Sequence, residues 1–579
     1  MAMASSSSGT IQTDQIFGPW NPGIGSSIPK ELRHLATIYR PENVFNGLAA
    51  AAELHGLTGI DMSELAVFRP QRLALHELLV RITADIAVPD GSRIEDLGLN
   101  FREMARLLLS RYLKPEMHAI IGAYDRARQD LAGIIHAALD GLPREWGPAE
   151  IAQLERRAAA AREAAQVSAY KSLARVLSEL FATHGFAWGT KELISGIATD
   201  MACNDHGSDC IGREIAPWLK RAAVEQGYKL LPRQEHPVVI NTKGPSASGK
   251  STLRPLQRYL AGVIGVDWSD FALISPDIWR KQLLDYATLG AAYKYAGAFT
   301  SDELQIVDRK LDRYMAGKHQ RGEMSHLLID RFRFDSFAVG SEEEGSNLLT
   351  RFGQSVYLFF LITPPQLLVE RAWKRGLEVG RYKAVDDTLA HAVEAYSGIP
   401  HVFFTWVHRA DKRIQFEFLD NTVRLGERPR TVAFGDNDTF NVLNVKGTLD
   451  IERYSRLHID AANADSLYAD RELLQPERNV AFLKRCVANF RCVNFADQAS
   501  GRVYLRIESG RPVVTDPAAL AAAVLDADTL EGIRAVAADA LSGSAPVVDR
   551  AEYLGAGAGG RSLPTLGQWG RPGASGPAA

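Results

Sequence analysis

Eight consecutive residues carry the sharpest chemistry in this chain: Gly244-Pro245-Ser246-Ala247-Ser248-Gly249-Lys250-Ser251, followed by Thr252. Two glycines at this spacing, closed by a lysine and a hydroxyl residue, make a loop that can wrap phosphate. Its backbone N–H groups turn inward onto phosphate oxygens, and glycine permits that path. The positive end of a following helix adds to the attraction. Lys250 then reaches the terminal phosphates, and the Ser251 hydroxyl is placed to ligate Mg²⁺. A glycine turn that matches by accident is the plain alternative. The flanks argue against it, since the apolar run from Val238 reads as a strand and Leu253 to Val263 reads as a helix. Residues 244 to 252 are therefore expected to bind nucleotide, with ATP and Mg²⁺ as cofactors. Pro255 is expected to kink the helix that follows.

Residues further on separate a phosphoryl-transfer enzyme from a mere nucleotide hydrolase. Asp277 lies just past the apolar run Phe271 to Ile274, at the sheet edge where α/β proteins bind ligands. Arg280 follows three residues later, on the same side of any helix that starts there. Asp277 can take a proton from an acceptor hydroxyl, and Arg280 can hold an anionic substrate. Asp277 as a simple helix cap is the rival reading. Asp330 ends the run Leu327 to Ile329, a position suited to orienting Mg²⁺ together with Ser251. The segment from Glu370 to Arg381 is dense in arginine. Arg371 and Arg375 are i, i+4 neighbours that repel unless an anion lies between them. With Arg381 they suit a lid that neutralises a transferring phosphoryl group; a solvated helix face is the alternative.

The elements that must position these residues follow from periodicity. Short apolar runs at 238–241, 271–274, 327–329, 355–362 and 414–419 alternate with helical stretches, which indicates a parallel sheet flanked by helices over about 230–425. Before it, residues 61–229 show helical spacing, with Leu73, Leu75, Leu78, Leu79 and Ile82 on one broad face. Residues 1–60 read as an irregular arm, 426–554 as a small α+β region, and 555–579 as a disordered tail. The chain has 579 residues, 66 basic and 69 acidic, for a net charge of −3. That balance disfavours a dedicated nucleic-acid binder. No apolar run reaches the roughly 18 residues of a membrane helix. Four cysteines, Cys203, Cys210, Cys486 and Cys492, lack the spacing of a zinc knuckle and are expected to be reduced thiols. A cytoplasmic location is expected; the serine-rich start at Ser5 to Ser8 also suits secretion into a host cell.

Residues 238–421, about a third of the chain, resemble the zeta-toxin family of P-loop kinases, which itself looks like chloramphenicol phosphotransferase. The resemblance rests on the loop Gly244 to Ser251, on Ser275-Pro276-Asp277 with Arg280, and on Ala298 to Glu303 leading into a long helix. It continues through Leu327 to Asp330, Thr363-Pro364-Pro365, the arginine segment and Phe418-Leu419-Asp420-Asn421. It implies that Lys250 binds phosphates, that Asp277 is the general base, that Thr300 and Glu303 contact substrate, and that Arg371, Arg375 and Arg381 contact ATP. It also implies a small-molecule substrate with a free hydroxyl, and a toxin or effector role with an antitoxin or chaperone-like inhibitor as partner. The chain departs from the family after Asp330, where Arg331-Phe332-Arg333-Phe334-Asp335 replaces the usual Gly and Thr. Arg331 and Arg333 suit an acceptor with its own phosphates, such as a nucleotide sugar or a dinucleotide; ion-paired surface residues are the equal alternative. An ATP-driven conformational switch and a polynucleotide kinase are the competing functions; only transfer needs a base at Asp277. The helical region 61–229 is expected either to act as an inhibitor in cis or to pack as a scaffold.

Overall fold

The computed structural model describes residues 17–93, 95–331, 348–424, 426–548, 551–555 and 563–570. Among these, ten strands form one continuous sheet. Its first half is β1 (Val238–Lys243), β2 (Phe271–Ile274), β3 (His326–Ile329), β4 (Ser355–Ile362) and β5 (Arg413–Asp420), in the order β5-β4-β1-β3-β2. All four pairings are parallel. Strands of this kind are covered on both faces, so they are apolar almost throughout; in β4 every residue but Ser355 is buried. This is the expected α/β fold, a P-loop kinase-type parallel sheet flanked by helices.

The α+β region does not make a separate sheet. β6 (Arg430–Asp436) pairs antiparallel with β5, β7 (Thr439–Val442) antiparallel with β6, and β8 (Cys492–Ala496) parallel with β7. β9 (Val503–Glu508) and β10 (Arg511–Val514) complete the edge by antiparallel pairing. Phe403 binds the two halves together, with ring centroids 5.2 Å from Phe418, 6.1 Å from Phe440, 5.9 Å from Phe482 and 5.9 Å from Phe490.

Six helices bear on the site: α1 (Pro70–Asp85), α2 (Ser208–Glu225), α3 (Arg254–Val263), α4 (Ser301–Gln320), α5 (Pro365–Val379) and α6 (Val385–Val407). The apolar face expected on α1 is real, with Leu73, Leu78, Leu79 and Ile82 fully buried. α1 packs on α2, on α4 and on the edge strand β2. Its contact with α4 is a polar seam. Arg72 and His76 both reach Glu303, Lys310 reaches His76 and Ser208, and Lys318 and Tyr314 both reach Asp85. Lysine can only donate, so Nδ1 of His76 accepts from Lys310 at 3.2 Å and its Nε2–H donates to Glu303 at 2.6 Å. Burial, with Lys310 adding to it, pushes His76 down to about 4, which agrees with a neutral ring.

Both ends of the chain differ from expectation where they are described. From residue 17 the arm is held down: Ala36 joins a small apolar core with Leu284, Leu289, Ala292, Ala296 and Phe299, and Leu48–Thr58 is a helix. At the other end, residues 563–570 dock on the sheet. Buried Glu417 accepts from the backbone N–H of Leu566 at 2.6 Å and of Gly567 at 2.9 Å, and Trp569 stacks 5.0 Å from Phe434. A disordered tail is thus corrected over this stretch, because a buried carboxylate there needs these donors. Residues 1–16, 556–562 and 571–579 lie outside the described residues.

Candidate functional site

β1 delivers the chain into the loop 244–251 at the C-terminal edge of the sheet, and a short 3-10 turn, Lys250–Leu253, leads into α3. Pro255 sits at the second position of α3, where an N–H has no helical acceptor, so the expected kink is absent. Gly249 has φ +93° and Ala247 φ +64°. A Cβ on Gly244 would lie 2.8 Å from the Ser248 hydroxyl oxygen and 3.1 Å from Leu361 Cβ, so the loop closes tightly there. Lys250 Nζ arches back onto the carbonyls of Gly244 at 3.0 Å and Pro245 at 3.1 Å. Burial lowers its pKa, with Asp330 and Asp277 opposing.

Ser251 Oγ donates to Asp330 Oδ2 at 3.2 Å. The strand-end carboxylate and the loop hydroxyl therefore share one point. A hydroxyl and a carboxylate are hard oxygen ligands of the kind Mg²⁺ takes beside a phosphate chain. The donor set fits the ion, and Ser251 and Asp330 are the residues that would hold it.

Asp277 lies in the turn Pro276–Trp279 directly after β2. It is not the cap: Ser275 holds that position and makes no side-chain cap bond. Its carboxylate is gripped instead by two arginines, Arg280 Nε at 2.9 Å and Arg381 Nη2 at 2.6 Å. Desolvation pushes the Asp277 carboxyl upward, but Arg381 and Arg280 outweigh it and hold it well below the usual carboxylate range. Arg280 also donates to Thr300 Oγ1 at 2.8 Å and to Gly297 O at 2.6 Å, which ties the Asp277 turn to the start of α4. Arg375 completes the group. Burial, with Arg381 nearby, pushes it down to about 10, and its Nε is a buried donor with no hydrogen-bond partner among the described residues. Lys383, unnoticed in the sequence, stands two residues past Arg381, 3.6 Å from Asp387, and burial pushes it down to about 7.

Lys250, Ser251, Asp330, Asp277, Arg280, Arg375 and Arg381 thus converge. Three expected roles, those of Glu303, Thr300 and Arg331, need correction. Glu303 is fully buried and taken up by Arg72, at 2.5 and 2.7 Å, and by His76, so it is closed to substrate. Thr300 is also buried, and its hydroxyl donates to the carbonyls of Ala296 and Gly297, so it positions Arg280 rather than meeting an acceptor. Arg331 is buried between Asp308 at 2.5 Å and Asp312 at 2.8 Å. These two carboxylates, i and i+4 on α4, were the missed signal: like charges on a buried face require a cation. Arg371, expected to contact ATP, donates through Nη2 to the carbonyls of Asn421 and Val423 at 2.8 and 3.1 Å. Phe332, Arg333, Phe334 and Asp335 lie outside the described residues.

The helical region abuts the site: it packs on α4, on β2, on the turn Pro276–Trp279 that carries Asp277 and on the short helix Arg280–Leu283, and through Asp90 it reaches Arg258 of α3. The four cysteines are free, and no cluster of three or more metal-ligating side chains occurs among the described residues. No described helix is long and apolar enough to cross a membrane.

No family model matches the chain, and no curated protein matches it. Among solved structures it is similar to a chain of the PezAT chromosomal toxin–antitoxin system of Streptococcus pneumoniae, at 18% identity. The match covers 32% of this chain and 70% of that one, with a TM-score of 0.22. A likeness that slight carries no argument, and the functional reading below rests on the site itself.

Proposed function

We propose that this protein is an ATP- and Mg²⁺-dependent kinase that transfers a phosphoryl group to a hydroxyl of a small metabolite, in the manner of zeta toxins. The observation that carries this reading is Asp277. A nucleotide switch needs the loop 244–251 and the Ser251–Asp330 pair; it has no use for an ionised carboxylate held across from them by Arg280 and Arg381.

In this reading the loop N–H groups and Lys250 bind the phosphates of ATP, and Asp277 accepts the proton of the attacking hydroxyl. Mg²⁺, held by Ser251 and Asp330, draws negative charge off the phosphates when bound. Arg381 serves two ends. While it grips Asp277 it keeps that carboxylate a poor base. Drawn onto the phosphoryl oxygens together with Arg375, it releases Asp277 and raises its basicity as the proton has to leave. Arg280 holds the acceptor side in place. The cationic surroundings favour an anionic acceptor, a nucleotide sugar or a dinucleotide, and a toxin or effector role with an antitoxin-like inhibitor follows from the same reading.

The test is incubation of the full chain with ATP, Mg²⁺ and a metabolite extract, followed by mass spectrometry for products heavier by one phosphate. The control is Lys250→Ala, expected to lose transfer by roughly a hundredfold or more while keeping its fold. ATP consumption with no phosphorylated product would favour the switch; equal product from the control would sink the kinase reading.

A further inference from the structure

The carbonyl of Ser248 is held from outside the loop. Asn421 Nδ2 donates to it at 2.6 Å and Thr363 Oγ1 at 3.4 Å. Asn421 is 6% exposed. Its own N–H donates to Ile362 O at 3.0 Å, so the end of the β4–β5 pairing fixes where it stands. Gly249 completes the fit: a Cβ there would lie 2.3 Å from Asn421 Nδ2. The glycine thus serves a close approach as well as its positive φ.

A peptide unit is planar and trans, so its C=O and the next N–H point to opposite sides. Pulling the Ser248 carbonyl outward onto Asn421 therefore turns the Gly249 N–H inward, toward the position of the phosphates. Arg371 then reaches the loop by an indirect route. From α5 it grips the carbonyls of Asn421 and Val423, the chain that carries the Asn421 side chain.

We propose that Asn421 is a positioning residue of the nucleotide loop, and that Arg371 acts on phosphate binding through Asn421 instead of by contact. The proposal rests on the reading of residues 244–252 as a nucleotide site. Asn421→Asp keeps the shape, cannot donate, and sets a carboxylate against the Ser248 carbonyl. It should weaken ATP binding about tenfold or more. Asn421→Ala removes the donor without adding charge and should act in the same direction.

The experiment measures ATP affinity with Mg²⁺ by calorimetry for the full chain, at a temperature well below each variant's melting transition. A purely structural role lowers Tm and leaves this affinity unchanged, and that result overturns the proposal. A double-mutant cycle isolates the relay. Arg371→Ala should weaken ATP binding in the wild-type background and have little further effect beside Asn421→Ala. An equal loss in both backgrounds means direct contact by Arg371 and overturns the relay. If the wild-type chain itself binds no ATP, the nucleotide reading fails and takes the proposal with it. If it binds, the variants report on Asn421 alone.

Discussion

Asp277 shows how far identity and surroundings can pull apart at a single residue. Its position after β2 was readable, because an acid behind an apolar run marks a sheet edge. Its two arginine partners were readable only in part: Arg280 is three residues away, while Arg381 is brought 104 positions back along the sequence. Asp277→Asn keeps the size of the side chain and removes the proton acceptor. Transfer should fall by roughly a hundredfold or more, with ATP affinity near that of the wild type. Steady-state rates and calorimetry on the same preparation check this. A collapse of ATP affinity would instead make Asp277 a nucleotide or metal residue and shift the search for a base to Asp330. Asn421 illustrates the opposite limit. Nothing in its neighbours along the chain announces a hydrogen bond to Ser248, since that contact exists only once β4 and β5 have paired.

At the scale of elements, the seam between α1 and α4 gives Glu303 its role. Glu303→Gln would leave Arg72 poorly paired in a buried place, at a cost of about 3–5 kcal/mol. Denaturant titration should show that loss, while the KM for the phosphate acceptor stays unchanged. A normal stability with a raised acceptor KM would return Glu303 to the substrate. A second prediction concerns the segment 563–570. Burial is the main cause pushing Glu417 up to about 7, against the donors of Thr431, Leu566 and Gly567. Between about 4.5 and 7 the native state thus binds more protons at this group than the unfolded chain does. Its contribution is present below 4.5 and is lost as pH rises through about 7. Unfolding midpoints followed across that window should therefore show less fall with pH in Glu417→Gln than in the wild type; equal slopes would remove Glu417 as the cause. The parallel strands were legible because burial on both faces writes them as unbroken apolar runs. β8 and β10 were not: β8 is short and carries Asn494, and β10 contains Pro512 at the sheet edge. The apolar run Val442 to Val445 divides between the end of β7 and a helix capped by the Asn444 side chain. The Ala-rich stretch after β10 forms two helices, Pro517–Ala523 and Ala527–Ser542, the second capped by Asp526.

For the molecule as a whole, the expected units are joined more closely than their sequence boundaries suggest. One apolar cluster runs from Ile38 through the helical region and the sheet to Leu566. A fragment of residues 230–425 should therefore be less soluble than the full chain; recovery of the fragment as a soluble, folded monomer with full turnover would show the flanking regions to be dispensable. The helices rest on α4, on β2 and on the segment 276–283 that carries Asp277 and Arg280, so they support the site from behind its acidic turn. The pairing of β5 with β6 also bears on how such a chain can change through evolution. A deletion that ended the protein after β5 would bare a strand whose outer N–H and C=O groups otherwise pair with β6 on both sides of the irregularity at Phe418–Leu419. Two truncated copies would meet along that strand and pair with each other. Lineages that shorten this protein are thus steered either toward dimers joined through β5 or toward replacing β6 with some other cover.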